Sequence, residues 1–596
     1  MSRRAAGCVL FLSLVFGVLF VWHALARYQT FHNQTFDLAF YARMAWGIAH
    51  GSFWDPIVNA HFVGLHFAVI LAPLGLLGRV FGTVPVLLVA QTLAVCAVAW
   101  PLSLLGARRF GDLGAVAAAF AWLLYPNIGH VVSDEFHPGT LATLPMAWAM
   151  YSIAAGHKRA LIWATVCMVA CRADLAWTAF MLGLLAWQSG TPLRRTGLWT
   201  MGWSAAYLLL FVLVIHPIFA PPQGSLQLHF GKWGNSAPEI ARTLISSPGL
   251  VLGHFGEPKR LFYLPKLLAP VALLPLLRPR LLLVAAPSLL INLISDFPTA
   301  TFMDCHYQTL AVPALVAAAI EGAAAFRGVG IQRVALALMA AASVVAHLIA
   351  GGMPWSRDYA AGDFIADANT LVSRQVVAVI PANASVQAPY RLMPHLAERL
   401  DVYRAPPPER NAEFVVLDVA HRVRFAGRGD LLRTFEEPEV RSWIARPNHA
   451  VVFAQGDLVV LQRGKAAREG LAKRYIVGRT TTSSGTPITE CLSVLGAALK
   501  ADTLTLDLVA AGPCPSDLAL RIGSQYKPER QDLLFDGLLS PANLLPGDRL
   551  ISRHRVSPAE RRAMIEKGLQ LGAVRESGAR PNPRNPDSVQ VPLQAR

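Results

Sequence analysis

From Cys8 to Ile349 the chain is a succession of apolar runs, most of them close to the roughly 20 residues a helix needs to cross a bilayer. Short turns bearing paired basic residues separate them. Lipid leaves such a chain few choices, because backbone polar groups at membrane depth must be bonded within the protein itself. The pattern predicts a mainly α membrane protein. Composition marks where this regime stops: residues 1–353 hold 32 Asp, Glu, Lys and Arg, whereas the 243 residues from Pro354 to Arg596 hold 58. Residues 1–353 read as a transmembrane domain, 354–465 as a soluble α/β domain, 466–575 as a small β-rich module and 576–596 as a disordered tail.

The predicted spans are Cys8–Ala26, Val84–Leu105, Leu113–Val131, Leu141–Ala155, two helices within Ala160–Trp187, Leu198–Phe219, Leu261–Leu277, Leu281–Ile294, Thr309–Phe326 and Val334–Ile349, about eleven in all. The first could instead be a cleaved signal peptide ending at Ala24-Leu25-Ala26. Arg108/Arg109, Lys158/Arg159, Arg194/Arg195, Arg278/Arg280 and Arg327/Arg333 then fall on one face, the cytoplasmic one by the positive-inside rule. His66–Phe81, interrupted by Pro73, Gly75 and Gly78, reads as a helix in the outer interface, since a further span would turn every doubly basic loop outward. The soluble region would then sit outside the cytoplasm, in a periplasm if the organism is Gram-negative.

In that region Val376–Ile380 and Glu413–Val419 read as strands flanking a helix near Met393–Arg399, and Ala450–Gln455 with Leu458–Gln462 as a hairpin across Gly456-Asp457. Thr503–Val509, Asp517–Ile522 and Gln531–Phe535 suggest the β-rich module, and Ser557-Pro558-Ala559-Glu560 is a capping box. Cys491 and Cys514 are its only cysteines, and an oxidising compartment would permit their pairing. The net charge of +16 forms no Lys/Arg stripe interleaved with aromatics, so no nucleic-acid partner is expected. Walker A, HExxH and EF-hand patterns are absent, as is any cysteine spacing suited to a metal.

On this topology Asp37, Asp55, Asp134, Glu135, Asp174, Glu239, Glu257, Asp296 and Asp304 lie toward the outer side, and only Asp112 and Glu321 do not. His61, His66, His137, His306 and Arg172 join the outer set. Any one of these is explained by loops being polar; together they suggest a site. Asp37 suits a general base, or a helix cap. Asp134 and Glu135 add two carboxylates; with Asp37 they are candidates to share a divalent cation, although adjacent acids also make an ordinary solvated turn. Arg172 suits a lipid phosphate, or a pair with Asp174. His306 and Tyr307 add polar groups at the same depth, and His61 and His66 either line a groove or anchor the interface helix.

Several blocks occur together: Phe36-Asp37-Leu38 with Trp46-Gly47-Ile48-Ala49-His50-Gly51, His66-Phe67 before Leu71-Ala72-Pro73-Leu74, Glu135-Phe136-His137-Pro138, Arg172-Ala173-Asp174, and His306-Tyr307 before Val312-Pro313. From the first span to about Arg463 the chain resembles the bacterial multi-pass membrane family DUF2079, itself similar to GT-C glycosyltransferases. The resemblance implies a GT-C-like helical bundle that transfers sugar from a polyprenyl-phosphate donor to a glycan, lipid or protein acceptor of the envelope. Asp37 would be catalytic, assisted by Asp134 and Glu135, with Mg or Mn as the fitting cation. His61, His66, His137, Arg172, Asp174, His306 and Tyr307 would bind substrate, Arg172 at the donor phosphate. Gly139 stands where the family commonly has an acid after His-Pro. A flippase or transporter of lipid-linked saccharides and a non-catalytic envelope scaffold are the alternatives.

Overall fold

The computed structural model describes residues 1–33, 37–219, 229–357, 359–405, 410–418, 443, 446, 448–455, 458–464, 476–480, 485–500, 503–515, 518–524, 530–533, 544–575 and 589–595. These fall into two compact units. One comprises Met1–Leu371 with Tyr390–Arg404, and the other comprises Val372–Pro389 with the described residues from Ala405 onward.

The first unit is helical. Ser2 caps the Arg3–Gln29 helix, its hydroxyl accepting the Ala5 N–H. The 27 residues of that helix extend about 40 Å, more than the hydrocarbon core requires. With Thr83–Leu123, Arg194–Phe219 and Val329–Ala350 it is one of four helices, among the described residues, long and apolar enough to cross a membrane. Thr83–Leu123 folds back on itself at Phe110 and Gly111, the glycine at φ +57°. The two arms meet so closely that a β-carbon on Gly106 would stand 2.2 Å from the Gly114 carbonyl oxygen. Other expected spans form shorter helices: Thr143–Ala155, Lys158–Cys171, Ala176–Gln188, Ala286–Ile294 and Val312–Ala323. Leu261–Leu277, expected as one span, is broken into short turns, with Ala272 and Leu273 in left-handed geometry. Pro265, Pro270 and Pro275 explain the break, since each lacks the N–H that a helix needs and collides with the preceding turn.

Leu71–Phe81 is an 11-residue helix, too short to span by itself. It packs on Asp37–Ala49 so tightly that a β-carbon on Gly75 would lie 2.0 Å from the Ala45 carbonyl oxygen. Residues 390–404, read from sequence as part of the soluble region, pack in this first unit. The Arg43 guanidinium donates to the Leu400 carbonyl (3.0 and 3.2 Å), Glu398 accepts the Thr83 N–H (2.6 Å), and His395 stacks on Tyr28 and Phe31.

Charge separates along the Arg3–Gln29 helix. At its start Ser2 donates to Asp112. In the same set of basic turns Arg109 pairs with Glu321 (2.7 Å) and Arg278 donates to the Glu321 carbonyl (3.1 Å). Asp112 and Glu321, the two acids that the sequence sets apart, therefore sit with the basic turns. The far end of the helix leads to Asp37.

The second unit is β-rich. Val386–Pro389 runs parallel to Phe414–Asp418, which pairs antiparallel with Leu458–Arg463 and through it with His449–Gln455. Val376–Ile380, expected as a strand, falls instead at the end of the Ala368–Val379 helix and just beyond it. Val372, Val376 and Ile380 are buried at every fourth position, a helical rather than a strand period. Further along, Leu492–Lys500, Thr503–Ala510, Asp548–Arg555 and Ile476–Arg479 form one antiparallel sheet, and Arg530–Leu533, Leu518–Gly523 and Leu569–Arg575 another. Their apolar faces share one core. The capping box at Ser557 and Glu560 forms, and Cys491 and Cys514 are disulfide-bonded. Of the tail expected to be disordered, 576–588 and 596 lie outside the described residues, while Val589–Val591 and Leu593–Ala595 pair as strands at the edges of the two sheets. The alternation of Val589, Val591 and Leu593 with polar or proline neighbours is what a half-buried strand requires.

Behind the Asp37 helix, Trp54–Asp55 pairs with Ala60–His61. Asp55 is 1% exposed and accepts the Ile57 and Val58 N–H groups through Oδ1 (2.8 and 3.1 Å), while Oδ2 has no hydrogen-bond partner among the described residues. Burial pushes this carboxyl up to about 7, against the opposing pull of the Val58 N–H, the Arg43 charge and the Ile57 N–H. The unfolded carboxyl titrates near about 4, so the folded state holds the proton longer. Its contribution to stability is full below about pH 4 and is lost as pH rises through about 7. Asp55→Asn keeps the acceptor and cannot ionise. The variant should melt several degrees above wild type at pH 8 and at the same temperature near pH 4, measured by thermal unfolding in detergent.

Candidate active site

Asp37 is the first residue of its helix, and the helix start is held from another loop. Glu135, 1% exposed, accepts the buried Leu38 N–H through Oε2 (2.7 Å). A carboxylate at a helix N-terminus satisfies an orphan donor and complements the dipole. Glu135 thus caps the Asp37 helix, a role the sequence offered to Asp37. The backbone of Asp134 closes the Pro126–Asp134 helix; its side chain lies outside the described part of the structure.

Two buried amides fix the loops on either side. Gln91, wholly buried inside an apolar helix, donates to the carbonyls of Val131 (3.1 Å) and Glu135 (2.7 Å) and accepts the His137 N–H (2.8 Å). Asn127, equally buried, donates to the carbonyls of Met303 and Cys305 (2.8 and 2.7 Å) and accepts the Thr309 hydroxyl (2.7 Å). Gln91 therefore sets the position of His137, and Asn127 that of the loop before His306. The outcome is a face-to-face stack of the two imidazoles, centroids 3.4 Å apart with planes inclined by 24°. Asp37 completes the group: one ligand atom from each of Asp37, His137 and His306 lies within 4.8 Å of the others. Neither amide was singled out from the sequence, although a glutamine inside an apolar span is a signal that a buried polar group must have a structural partner.

Around this group stand Tyr307, Arg172, Asp174 and His66, which the sequence named, and Tyr41, which it did not. Tyr41, one turn along the helix from Asp37, lies edge-on to His137 and near His66 (centroids 6.1 and 6.2 Å). Tyr307 follows His306, their rings 4.1 Å apart. Burial, reinforced by the negative charge of Asp37, raises both phenol hydroxyls and keeps them protonated. Arg172 and Asp174 form a two-point pair, Nε to Oδ1 at 2.6 Å and Nη2 to Oδ2 at 2.7 Å. Burial would raise the Asp174 carboxyl, but Arg172 outweighs it and holds the group below the ordinary range. The turn between them is tied to the neighbouring loop by the Ala173 N–H on the His66 carbonyl (2.9 Å). Burial, with Arg172 acting in the same direction, pushes the His66 imidazole down to about 4, so it is neutral at physiological pH. Gly139 faces the remaining nitrogen of the guanidinium: a β-carbon there would stand 3.4 Å from Arg172 Nη1.

His229, which the sequence did not single out, also borders the group, 6.2 Å from the Tyr307 ring, with its carbonyl accepting the Asp296 N–H and the Ser295 hydroxyl. His61 belongs elsewhere. It caps the short Phe62–Leu65 helix and packs against Phe53 and Phe219. The fold therefore gathers Asp37, His66, His137, Arg172, Asp174, His306 and Tyr307, uses Glu135 as a cap, and leaves His61 to packing. Such a group combines a carboxylate that can take a proton or hold a cation, two imidazoles beside it, and a guanidinium suited to an oxyanion.

The profile of a family described as predicted membrane protein (DUF2079) matches residues 27–422. No curated protein matches the chain. Among solved structures it is similar to ArnT from Cupriavidus metallidurans bound to undecaprenyl phosphate, with 12% identity, a TM-score of 0.45, and coverage of 77% of this chain and 98% of that one. It is also similar to the oligosaccharyltransferase of Archaeoglobus fulgidus in the apo form, with 13% identity, a TM-score of 0.36 and 69% of each chain covered.

Gln91→Leu would strand the Glu135 carbonyl and the His137 N–H without their side-chain partner, at a cost of about 1–3 kcal/mol for each group left unsatisfied. A clear fall in melting temperature is expected, whereas Gln→Leu at the exposed Gln590 should change it little.

Proposed function

The chain belongs to the DUF2079 family of predicted membrane proteins, and on that premise we propose that it is an integral membrane glycosyltransferase acting on the extracytoplasmic face, moving a sugar from a polyprenyl-phosphate carrier to an envelope acceptor. The observation that carries this reading is the assembly of Asp37, His137 and His306 against Tyr41 and Tyr307, two phenols that also feel the charges of Asp37 and Arg172.

 Asp37 would take the proton of the acceptor hydroxyl as its oxygen attacks the anomeric carbon. The bond from that carbon to the phosphate oxygen breaks, and the electron pair leaves on the polyprenyl phosphate. Arg172 is the cation placed to receive that charge. Its Nε and Nη2 are committed to Asp174, so the phosphate would approach Nη1, on the side where Gly139 has no side chain. His66, neutral and buried, and the protonated Tyr41 and Tyr307 would offer hydrogen bonds to the sugar or phosphate without adding charge. A carrier held in the bilayer suits a face of the membrane where nucleotide sugars are not supplied. The Cys491–Cys514 disulfide supports an extracytoplasmic second unit, because such bonds persist in oxidising compartments.

Purified protein in lipid, given radiolabelled polyprenyl-phosphate sugars and an envelope extract, should transfer label. Asp37→Asn should fold normally and lose about 100-fold or more of the rate; equal rates would remove Asp37 from the chemistry. Gly139→Asp, which sets a carboxylate against Arg172, should raise KM for the donor more than it lowers kcat. In intact cells Cys491 and Cys514 should resist alkylation until a reductant is added, and alkylation without reductant would argue against the proposed orientation.

A further inference from the structure

We propose that Asp37, His137 and His306 form a binding site for a borderline divalent cation of the Zn2+ or Co2+ class, rather than for the Mg2+ or Mn2+ expected from a set of carboxylates. The three residues come from three separate segments: the start of the Asp37–Ala49 helix, the loop before the Pro138–Leu141 turn, and the start of the His306–Ala311 turn. Their ligand atoms lie within 4.8 Å of one another. Ligands about 2.0–2.2 Å from one ion stand about 3–4 Å apart, so an ion would draw the three ligand atoms closer together.

The donor set decides the class of ion. Mg2+ prefers an octahedron of oxygens and gives up its water reluctantly, whereas imidazole nitrogen suits Zn2+, Co2+ and Fe2+. Here two of the three donors are imidazoles. The rings are stacked, 3.4 Å between centroids, and each would turn out of the stack to aim its lone pair at a shared ion, whose donor nitrogens stand about 3–4 Å apart. Glu135, the carboxylate that would have made an oxygen-rich site, is directed to the Leu38 N–H through Oε2.

The surroundings are built to hold this arrangement. Gln91 grips the backbone on both sides of Phe136, and Asn127 grips the loop leading to His306. Both are positioning residues, buried where loss of a hydrogen bond is costly. The local charge also fits. Arg172 and Asp174 neutralise each other, and Asp37 is the one anionic ligand of the three, so a dication held by the trio would keep a net positive charge. Three protein ligands leave at least one coordination position open, as in catalytic rather than structural sites. Tyr41 and Tyr307 border the two imidazoles, so a phosphate or sugar oxygen is the class of exogenous ligand such a position would accept.

This inference rests on the geometry of the three side chains and holds whether or not the protein transfers sugar. The test uses the full chain in detergent, with any purification tag removed and metal stripped by a chelator, then titrated with ZnCl2, CoCl2 or MgCl2 in the absence of a donor. Wild type should retain one Zn2+ per chain after gel filtration and bind Co2+ with visible d–d absorption that lacks thiolate charge-transfer bands. Excess Mg2+ should not displace either ion. Asp37→Asn, His137→Gln and His306→Gln should each weaken Zn2+ binding about tenfold or more while leaving the melting temperature of the metal-free protein close to wild type. Should any of these melt early, the Co2+ spectrum of wild type decides alone. Zn2+ retention equal in wild type and all three variants, a thiolate-type Co2+ spectrum, or displacement of Zn2+ by equimolar Mg2+ would each overturn the proposal and leave the trio as a hydrogen-bonded acid–base cluster.

Discussion

A buried amide inside an apolar helix has nowhere to send its hydrogen bonds except to neighbouring backbone, and the candidate site depends on that constraint. Gln91 and Asn127 both sit at zero exposure, where an unsatisfied donor or acceptor costs about 1–3 kcal/mol. Each resolves the problem by binding the irregular stretch that follows or precedes a helix. Gln91 holds the chain from Glu135 to His137, and Asn127 holds the chain from Met303 to Cys305. Loops that would otherwise be free to vary are thereby registered to rigid helices. The stacked imidazoles are the consequence, and Glu135 extends the same network to the Asp37 helix through the Leu38 N–H.

The unit carrying the site has two chemically different ends. Around Ser2 the contacts are simple ones, Ser2 donating to Asp112 and Arg109 pairing with Glu321. Beyond Gln29 the ionisable groups are partly buried, shift one another and converge from several segments. Burial and the Arg172 charge push His66, and burial and the Asp37 charge push Tyr41 and Tyr307, toward their neutral forms, while Arg172 and Asp174 keep each other charged. Neutral imidazole and phenol groups beside the Arg172–Asp174 ion pair and the Asp37 carboxylate make an environment in which an added phosphate or cation would be felt strongly.

Much of this was legible in the residues. Asp37, His137, Arg172, Asp174 and His306 drew notice because they are polar, of chemically capable types, and placed on the same side of an apolar bundle. What they do was less legible. Glu135 reads as a catalytic or metal-binding acid beside Asp134, yet its carboxylate is used as a helix cap. His61 reads like His66 and packs against aromatic rings instead. The segment 390–404 reads as soluble and returns to the first unit, where His395 stacks on Tyr28 and Phe31. Leu261–Leu277 is apolar enough to span, and its prolines break it. Hydropathy reports an average over a window, whereas a missing N–H acts at a single position.

The sequence by itself determined the membrane class of residues 1–353, the segregation of basic turns from most of the acids, and the change to a β-rich chemistry further along, because hydrophobic periodicity and charge density are local properties. It also determined the capping box at Ser557 and the hairpin beside Gly456-Asp457, whose hydrogen bonds span only a few residues. Only the tertiary structure decided that Asp37 would meet two imidazoles, those of His137 and His306. That choice is made by Gln91, Asn127 and Glu135, which act across 44, 178 and 97 residues of chain, distances at which no local pattern records the partner.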